Sequence, residues 1–181
     1  MSGIINATNL EVANIKDSTG TNTAMTVDSS GRVAMPKVPA FKCRGFGSLQ
    51  NGATVNGISI GAGTDIIYNW TSVDINRDNA FNNSTGIYTV PVAGLYHVSA
   101  GVGYKSSTNY LLFVLFLTSS DNSTNGNIAT WSQNTNQYGG RHLGTIVEAS
   151  VGQQFALGMS DQYSTPNTNT WYTWFSAYLI G

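Results

Sequence analysis

The chain has 181 residues, 41% hydrophobic and 11% aromatic, enough for one domain with a buried core and an appendage. Charged residues are only 9%, against roughly 25% in an ordinary soluble domain, and Ser, Thr and Asn, roughly a third of the chain, take their place. A net charge of −1 with eight scattered basic residues argues against electrostatic capture of nucleic acid, and the single cysteine, Cys43, excludes an internal disulfide framework.

In chain order, the opening "MSGIINATNLEVANIK" lacks a basic start followed by a continuous apolar stretch, so no signal peptide is expected. All twenty aromatics lie at Phe41 or later. Upstream, Ile4, Ile5, Leu10, Val12 and Ile15, with Met25, Val27, Val33 and Met35, are too sparse to form a core. They need a partner's surface, or copies of themselves, to leave water. "DSTGT" (17–21) and "DSSGR" (28–32) read as Asp/Ser/Gly turns. "AMTV" (24–27) and "RVAM" (32–35) read as short strands, and Pro36 and Pro39 mark a boundary. The expected organisation is an extended arm over residues 1–37 and a domain over 38–181. Ile4, Ile5, Leu10, Val12 and Ile15 are the expected attachment residues.

The domain shows short alternating or fully apolar runs spaced by Gly, Asn, Ser and Asp, the pattern of a sandwich or barrel. The strands expected are "AFKCRGF" (40–46), "TVNGISI" (54–60), "DIIYNW" (65–70), "GIYTV" (86–90) and "GLYHVSAGVGY" (94–104). They continue with "YLLFVLFLTS" (110–119), "NIATWSQ" (127–133), "RHLGTIVEAS" (141–150), "QQFALGMS" (153–160) and "TWYTWFSAYLI" (170–180). The run Leu111–Leu117 is too short to span a bilayer, and its β-branched and aromatic content argues for a strand over a helix. About ten short strands suit an all-β, two-sheet jelly-roll sandwich.

"YLLFVLFL" and "TWYTWFSAYLI" are apolar on both alternating faces. In the second, Trp171, Phe175, Ala177 and Leu179 share one face and Tyr172, Trp174, Tyr178 and Ile180 the other. A strand of a lone sandwich usually meets the core on one face and water on the other. A second covering is therefore expected, most simply another subunit, the alternative being loops or the arm. Tyr96, Phe113, Phe116, Tyr172, Trp174 and Tyr178 are the residues expected at a trimer interface or in the core.

Few residues of the chain are suited to catalysis or metal binding. His97 and His142 are the only histidines, and a metal or catalytic pair would need further ligands or a positioned acid. Cys43, in a first strand, reads as a buried inert thiol. Asp74 and Asp78 flank an expected turn, where solvated loop charges are the default over a calcium site. No enzyme, metal or cofactor is expected. Three polar loops (119–127, 132–141, 161–170) carry or adjoin Trp131, Tyr138 and Tyr163. With their Asn and Gln, these aromatics are candidate receptor or glycan contacts, and solvated turns are the favoured alternative.

"FNNSTGIYTVPVAGLYHVSAGVGY" (81–104) resembles the central signature of the globular head of complement component q, within the tumour-necrosis-factor-like jelly-roll superfamily. The resemblance rests on Phe81, on Thr85-Gly86-Ile87-Tyr88-Thr89, on the corner Pro91-Val92-Ala93-Gly94 and on Tyr96-His97-Val98. "PAFKC" (39–43), "EASVGQQFAL" (148–157) and "WFSAYLIG" (174–181) resemble its first, late and closing strands, so it spans essentially residues 38–181. Val98 stands where an aromatic is usual, and Gln153 where an Asp is common. The resemblance implies a compact homotrimer about a threefold axis, with both domain ends on one side. The segment "IKDSTGTNTAMTVDSSGRVAMPKVPAF" is similar to lead-in segments of bacteriophage tail-fibre and virion appendage proteins. Together these imply a virion structural protein, assembled in the host cytoplasm and exposed on the particle. Its partners would be capsid or tail proteins, with no nucleic acid and no membrane insertion. The rival expectation is a carbohydrate- or receptor-binding adhesin knob that mediates host attachment; a secreted signalling ligand comes after it.

Overall fold

The computed structural model describes residues 14–16, 19–21, 23–35, 37–45, 47–51, 54–55, 58–59, 65–105, 111–117, 127–133, 138–159, 165–166 and 173–181. At 51, 54, 58–59, 102–105, 111–117, 127–133, 138–141, 159 and 165–166 it describes the backbone. The chain divides into two compact units, Met1–Val38 and Pro39–Gly181.

The first unit is a small antiparallel sheet in the order β1 (Asn14–Lys16), β2 (Thr23–Val27), β3 (Val33–Ala34). The β2–β3 turn is organised by Asp28, whose Oδ1 accepts from the Ser30 and Arg32 backbone N–H groups (2.8 and 3.0 Å). Its Oδ2 pairs with Arg32 Nε at 2.7 Å, the local self-bonding that makes Asp a turn residue. Those hydrogen bonds from Arg32, backbone first, hold the Asp28 carboxyl below its ordinary range. None of this unit's described residues is buried, and Ile15, Val33 and Met35 are exposed. The unit lacks a core within its described part.

The second unit begins with β4 (Ala40–Arg44), β5 (Ser48–Asn51), β6 (Thr54–Val55), β7 (Ile58–Ser59), β8 (Asp65–Tyr68) and β9 (Ser72–Asn76). After a 3-10 turn (Arg77–Asn79) come β10 (Phe81–Asn82), β11 (Ile87–Thr89), β12 (Gly94–Lys105) and β13 (Leu111–Leu117). The last are β14 (Asn127–Gln133), β15 (Tyr138–Ala149), β16 (Gln154–Met159), β17 (Thr165–Pro166) and β18 (Trp174–Leu179). One sheet runs β15-β12-β18-β4-β9, with β17 on β12. The other runs β10-β11-β16-β13-β14, with β8 on β16 and β5 on β8. This is the expected all-β sandwich.

Several details differ from the sequence reading, β1 and β17 among them. "TVNGISI" is a hairpin, β6 with β7, and its central Asn56-Gly57 is a two-residue turn signal that outweighs the continuity of the run. β5, β9 and β10 were not anticipated, because "SLQN", "SVDIN" and "FN" are short and polar and take strand geometry from their partners β8, β4 and β11.

The corner Val90-Pro91-Val92-Ala93-Gly94 carries the chain from one sheet to the other, since β11 belongs to the seven-stranded sheet and β12 to the six-stranded one. Pro91 has no N–H to leave unpaired at such a crossing. Val90 on its near side donates to Gln153 O (2.7 Å) and accepts from Gly152 N–H (2.9 Å). The Tyr96 hydroxyl reaches back to donate to Val92 O at 2.7 Å. Gly94 sits at φ +154°, and a Cβ there would lie 2.6 Å from the Gly181 carbonyl oxygen, which accepts the Leu95 N–H. Only glycine fits.

Between the sheets lies an aromatic core. Phe41 of β4 is stacked on Phe81 of β10 (centroids 4.8 Å, 5°) and on Tyr88 of β11 (4.5 Å, 21°), and meets Phe175 of β18 edge-on (4.8 Å, 79°). Tyr88, Phe155 and Tyr96 continue the cluster at 5.8–6.3 Å. Two asparagines imitate strand pairing beside it. Asn83 accepts from Trp70 N–H (2.8 Å) and donates to Trp70 O (3.1 Å), and Asn76 does the same with Phe81 (2.9 Å each).

Equilibrium urea unfolding will show Phe41→Ala less stable by about 3–5 kcal/mol, from the lost stacking and residual cavity. Asn83→Ala will cost about 2 kcal/mol, because it strands a donor and an acceptor of Trp70.

Candidate assembly surface

Strict alternation along β12 and β18 decides what the six-stranded sheet shows on its outer side. Tyr96, Val98 and Ala100, with Phe175 and Ala177, are buried in the core. Leu95, His97, Ser99 and Gly101, with Trp174, Ser176, Tyr178 and Ile180, therefore fall on the other face. The register aligns them in rows across the sheet. Glu148 lies beside Leu95, whose O accepts the Ile180 N–H. The next row is Ile146–His97–Tyr178–Ala40. Then come Gly144–Ser99–Ser176–Lys42–Ile75 and His142–Gly101–Trp174–Arg44–Ser72.

Side chains within these rows interlock. The Trp174 indole lies directly over Gly101, where any Cβ would collide with its pyrrole edge. Ser99 Oγ and Ser176 Oγ share a hydrogen bond at 3.1 Å. The His97 ring packs on Tyr178 (centroids 5.2 Å, 42°), with its Nε2 over the open backbone of Gly144. His97 Nδ1 is buried and has no hydrogen-bond partner among the described residues. Around this half-buried middle stand exposed aliphatics and a phenol: Ile146 (60%), Ile180 (46%), Tyr178 (45%), Leu95 (44%) and, at the β9 edge, Ile75 (43%). Ionised groups sit at the margins. Arg44 Nε binds both Asp74 carboxylate oxygens (3.0 and 2.9 Å), and Ser72 Oγ donates to Asp74 Oδ1 at 2.7 Å. The Ser72 hydroxyl, then Arg44, holds the Asp74 carboxyl below its usual range. The stability this confers is present above the unfolded carboxylate range, is lost as the pH falls through the lowered value, and is small at so exposed a pair.

The candidate residues read from the sequence distribute as follows. Tyr96 is a core residue, fully buried, while Trp174 and Tyr178 lie on the outer face. Phe113 and Phe116 belong to β13 in the other sheet, paired there with β14 and β16. Ile15 is on β1 and exposed. Trp131 and Tyr138 fall on the backbones of β14 and β15. Ile4, Ile5, Leu10, Val12, Tyr163 and Tyr172 lie outside the described residues. His97 is on the outer face and His142 is four residues before Ile146 on β15. No group of three or more His, Cys, Asp or Glu side chains able to hold a metal occurs among the described residues. Leu95, Ile146 and Ile75 were not singled out from the sequence. Reading "GLYHVSAG" and "GTIVEAS" at period two would have placed the first two opposite Tyr96 and Val147.

Cys43 is fully buried, its Sγ 3.5 Å from the Phe175 carbonyl oxygen, and burial pushes its thiol far above the ordinary range. A raised value keeps the unreactive thiol form. The native protein will accordingly resist a disulfide-exchange reagent even at about pH 9. Full labelling in urea, monitored spectrophotometrically, completes the comparison.

No family model matches this chain, and no curated protein matches it in sequence. Solved structures do. Three crystal structures of murine APRIL, at pH 8.0, 5.0 and 8.5, superpose with TM-scores of 0.61, 0.58 and 0.54 at 10%, 9% and 11% sequence identity. Each comparison covers 80% of this chain and 100% of the other. At that identity the likeness concerns the fold alone, an all-β jelly-roll sandwich.

Proposed function

We propose that the protein is a structural component of a bacteriophage particle, a homotrimeric knob that projects from capsid or tail and is docked through its N-terminal unit. The observation that supports this best is the outer face of the six-stranded sheet. Leu95, Ile146, Tyr178 and Ile180 remain exposed around a half-buried centre of His97, Ser99, Ser176 and Trp174. Such a face gains about 25 cal/mol for each Å² of apolar surface taken from water. A cyclic trimer covers it without leaving an open, fibre-forming edge, because head-to-tail contacts close after three copies. The jelly-roll likeness and the complement-q-like signature around Pro91–Gly94 favour the same arrangement.

The virion assignment draws on the arm. Its described residues contain no core and its apolar side chains await a covering surface. A low-charge, hydroxyl- and amide-rich composition suits a decoration that stays soluble outside a cell. Attachment through Ile4, Ile5, Leu10, Val12 and Ile15 is the corresponding role for that segment.

Sedimentation of the full chain at micromolar concentration will give a trimer. Tyr178→Arg and Ile146→Arg will yield folded monomers, because each places a charge where the faces meet. A well-behaved wild-type monomer would refute the architecture. Removing residues 1–38 will leave a soluble trimer that no longer co-purifies with particles, and retained incorporation would refute the docking role of the arm.

A further inference from the structure

The N-terminal sheet sorts its side chains between two sides. The pairing sets Ile15 opposite Met25 and Val27 opposite Val33, and residues directly opposite in an antiparallel pair share a face. Met25 and Val27 are two apart on β2 and so point the same way. Alternation from Val33 adds Met35 to that side, one residue beyond β3. The opposite side carries Asn14, Thr26 and Ala34, and there Thr26 Oγ1 donates to Asn14 Oδ1 at 3.0 Å. One side is thus aliphatic and thioether across all three strands, and the other is small or polar. Charge is confined to the ends. Lys16 pairs with Thr23 beyond the register shift, and Asp28 binds Arg32 in the β2–β3 turn.

An antiparallel sheet this small owes its stability to what its apolar face meets. Here Ile15, Val33 and Met35 are exposed, and Met25 and Val27 are only half-buried. The size of the face points to its occupant. These five side chains offer far less than the about 800 Å² per partner of a free-standing protein interface. A separate protein would not be held by so small a patch. Copies already gathered by the knob would be, because only residues 35–39 separate β3 from β4. A tether that short keeps attached groups at roughly millimolar effective concentration. Shape agrees with this. Three strands about 4.8 Å apart make a sheet about 14 Å wide. Three such sheets set as the sides of a triangular prism lie about 4 Å from its axis, near the about 5 Å that is half the spacing of packed sheets. Their side chains then meet at the axis without a void. A face with no charge and no hydrogen-bond donor is also complementary to itself.

We infer that the apolar side of the N-terminal sheet is a contact between copies of this chain. Three sheets turn Ile15, Met25, Val27, Val33 and Met35 inward around a common axis and form together the core that each lacks alone. The inference rests on the homotrimer proposed above and adds a second contact between the same copies. Docking on the particle then falls to the apolar residues before Ile15.

Cysteine substitution in the full chain tests this, because Cys43 is buried and its thiol unreactive. Val27→Cys and Thr26→Cys place a new thiol at neighbouring positions of the central strand, on the apolar and the opposite side. Under mild oxidation of purified protein, Val27→Cys should give at least about tenfold more disulfide-linked pairs of chains than Thr26→Cys. Met25→Asp added to Val27→Cys should abolish the pairs while sedimentation still finds a trimer. A second readout needs no cysteine. Met35 of the wild type should be oxidised by peroxide at least about tenfold more slowly than Met35 of Met25→Asp, followed by mass spectrometry. A wild-type trimer in which Val27→Cys links no better than Thr26→Cys, and Met35 reacts as fast as in Met25→Asp, overturns this contact and leaves the homotrimer standing. Protection of Met35 that arises only in particles assigns the face to a particle protein and likewise overturns the inference. A monomeric wild type removes the homotrimer and this contact together.

Discussion

The stacking of Phe41 between Phe81 and Tyr88 is the contact on which the rest of the domain depends. β4 and β11 belong to opposite sheets, and these rings bring them together at 4.5–4.8 Å. With Phe175 edge-on to Phe41, and with Tyr96 and Phe155 beside Tyr88, the interior is an aromatic wedge that fixes sheet spacing and relative position. The residues that cross between sheets are tied to this wedge. Tyr96 sends its hydroxyl to the Pro91–Gly94 corner, and Asn76 clamps the backbone of Phe81. A β-sandwich is stable only when its inner faces interdigitate, and here rings do most of that filling.

The wedge also dictates what remains outside. Because Tyr96, Val98 and Phe175, Ala177 must point inward, His97, Ser99, Ser176 and Tyr178 must point outward at the same levels, with no freedom to choose. The outer face consequently carries its own side-chain contacts: indole on glycine, serine on serine, imidazole on phenol. Its exposed aliphatics make it a surface suited to association. Core and outer face therefore follow from a single register.

The same economy shows in the charges. With only 9% charged residues, the protein places its described ion pairs at exposed positions, Asp28–Arg32 in the arm's turn and Arg44–Asp74 at the sheet's margin. Such pairs contribute little to stability and serve better to shape turns and rims. The interior carries Cys43 as packing, with its thiol shielded.

The sequence alone was enough for the all-β class, for most of the longer strands between "AFKC" and "FSAYLI" and for the sheet-crossing corner; it divided β18 into two alternating faces and left open which of them points inward. Alternation and turn chemistry are local, and Pro91, Gly94 and the aromatic period carry them openly. It also marked β18 as apolar on both faces. What it left undecided was partnership. Nothing in "SVDIN" or "SLQN" announces a strand, because those segments receive their geometry from hydrogen bonds to β4 and β8. Phe113 and Trp174 look alike as aromatics on apolar strands, yet they belong to different sheets. The meeting of His97 with Tyr178 and Gly144 joins residues 34 to 81 positions apart in the chain, and only the register of β12 against β15 and β18 brings it about. Period two fixes which face a side chain takes, and long-range pairing fixes its neighbours.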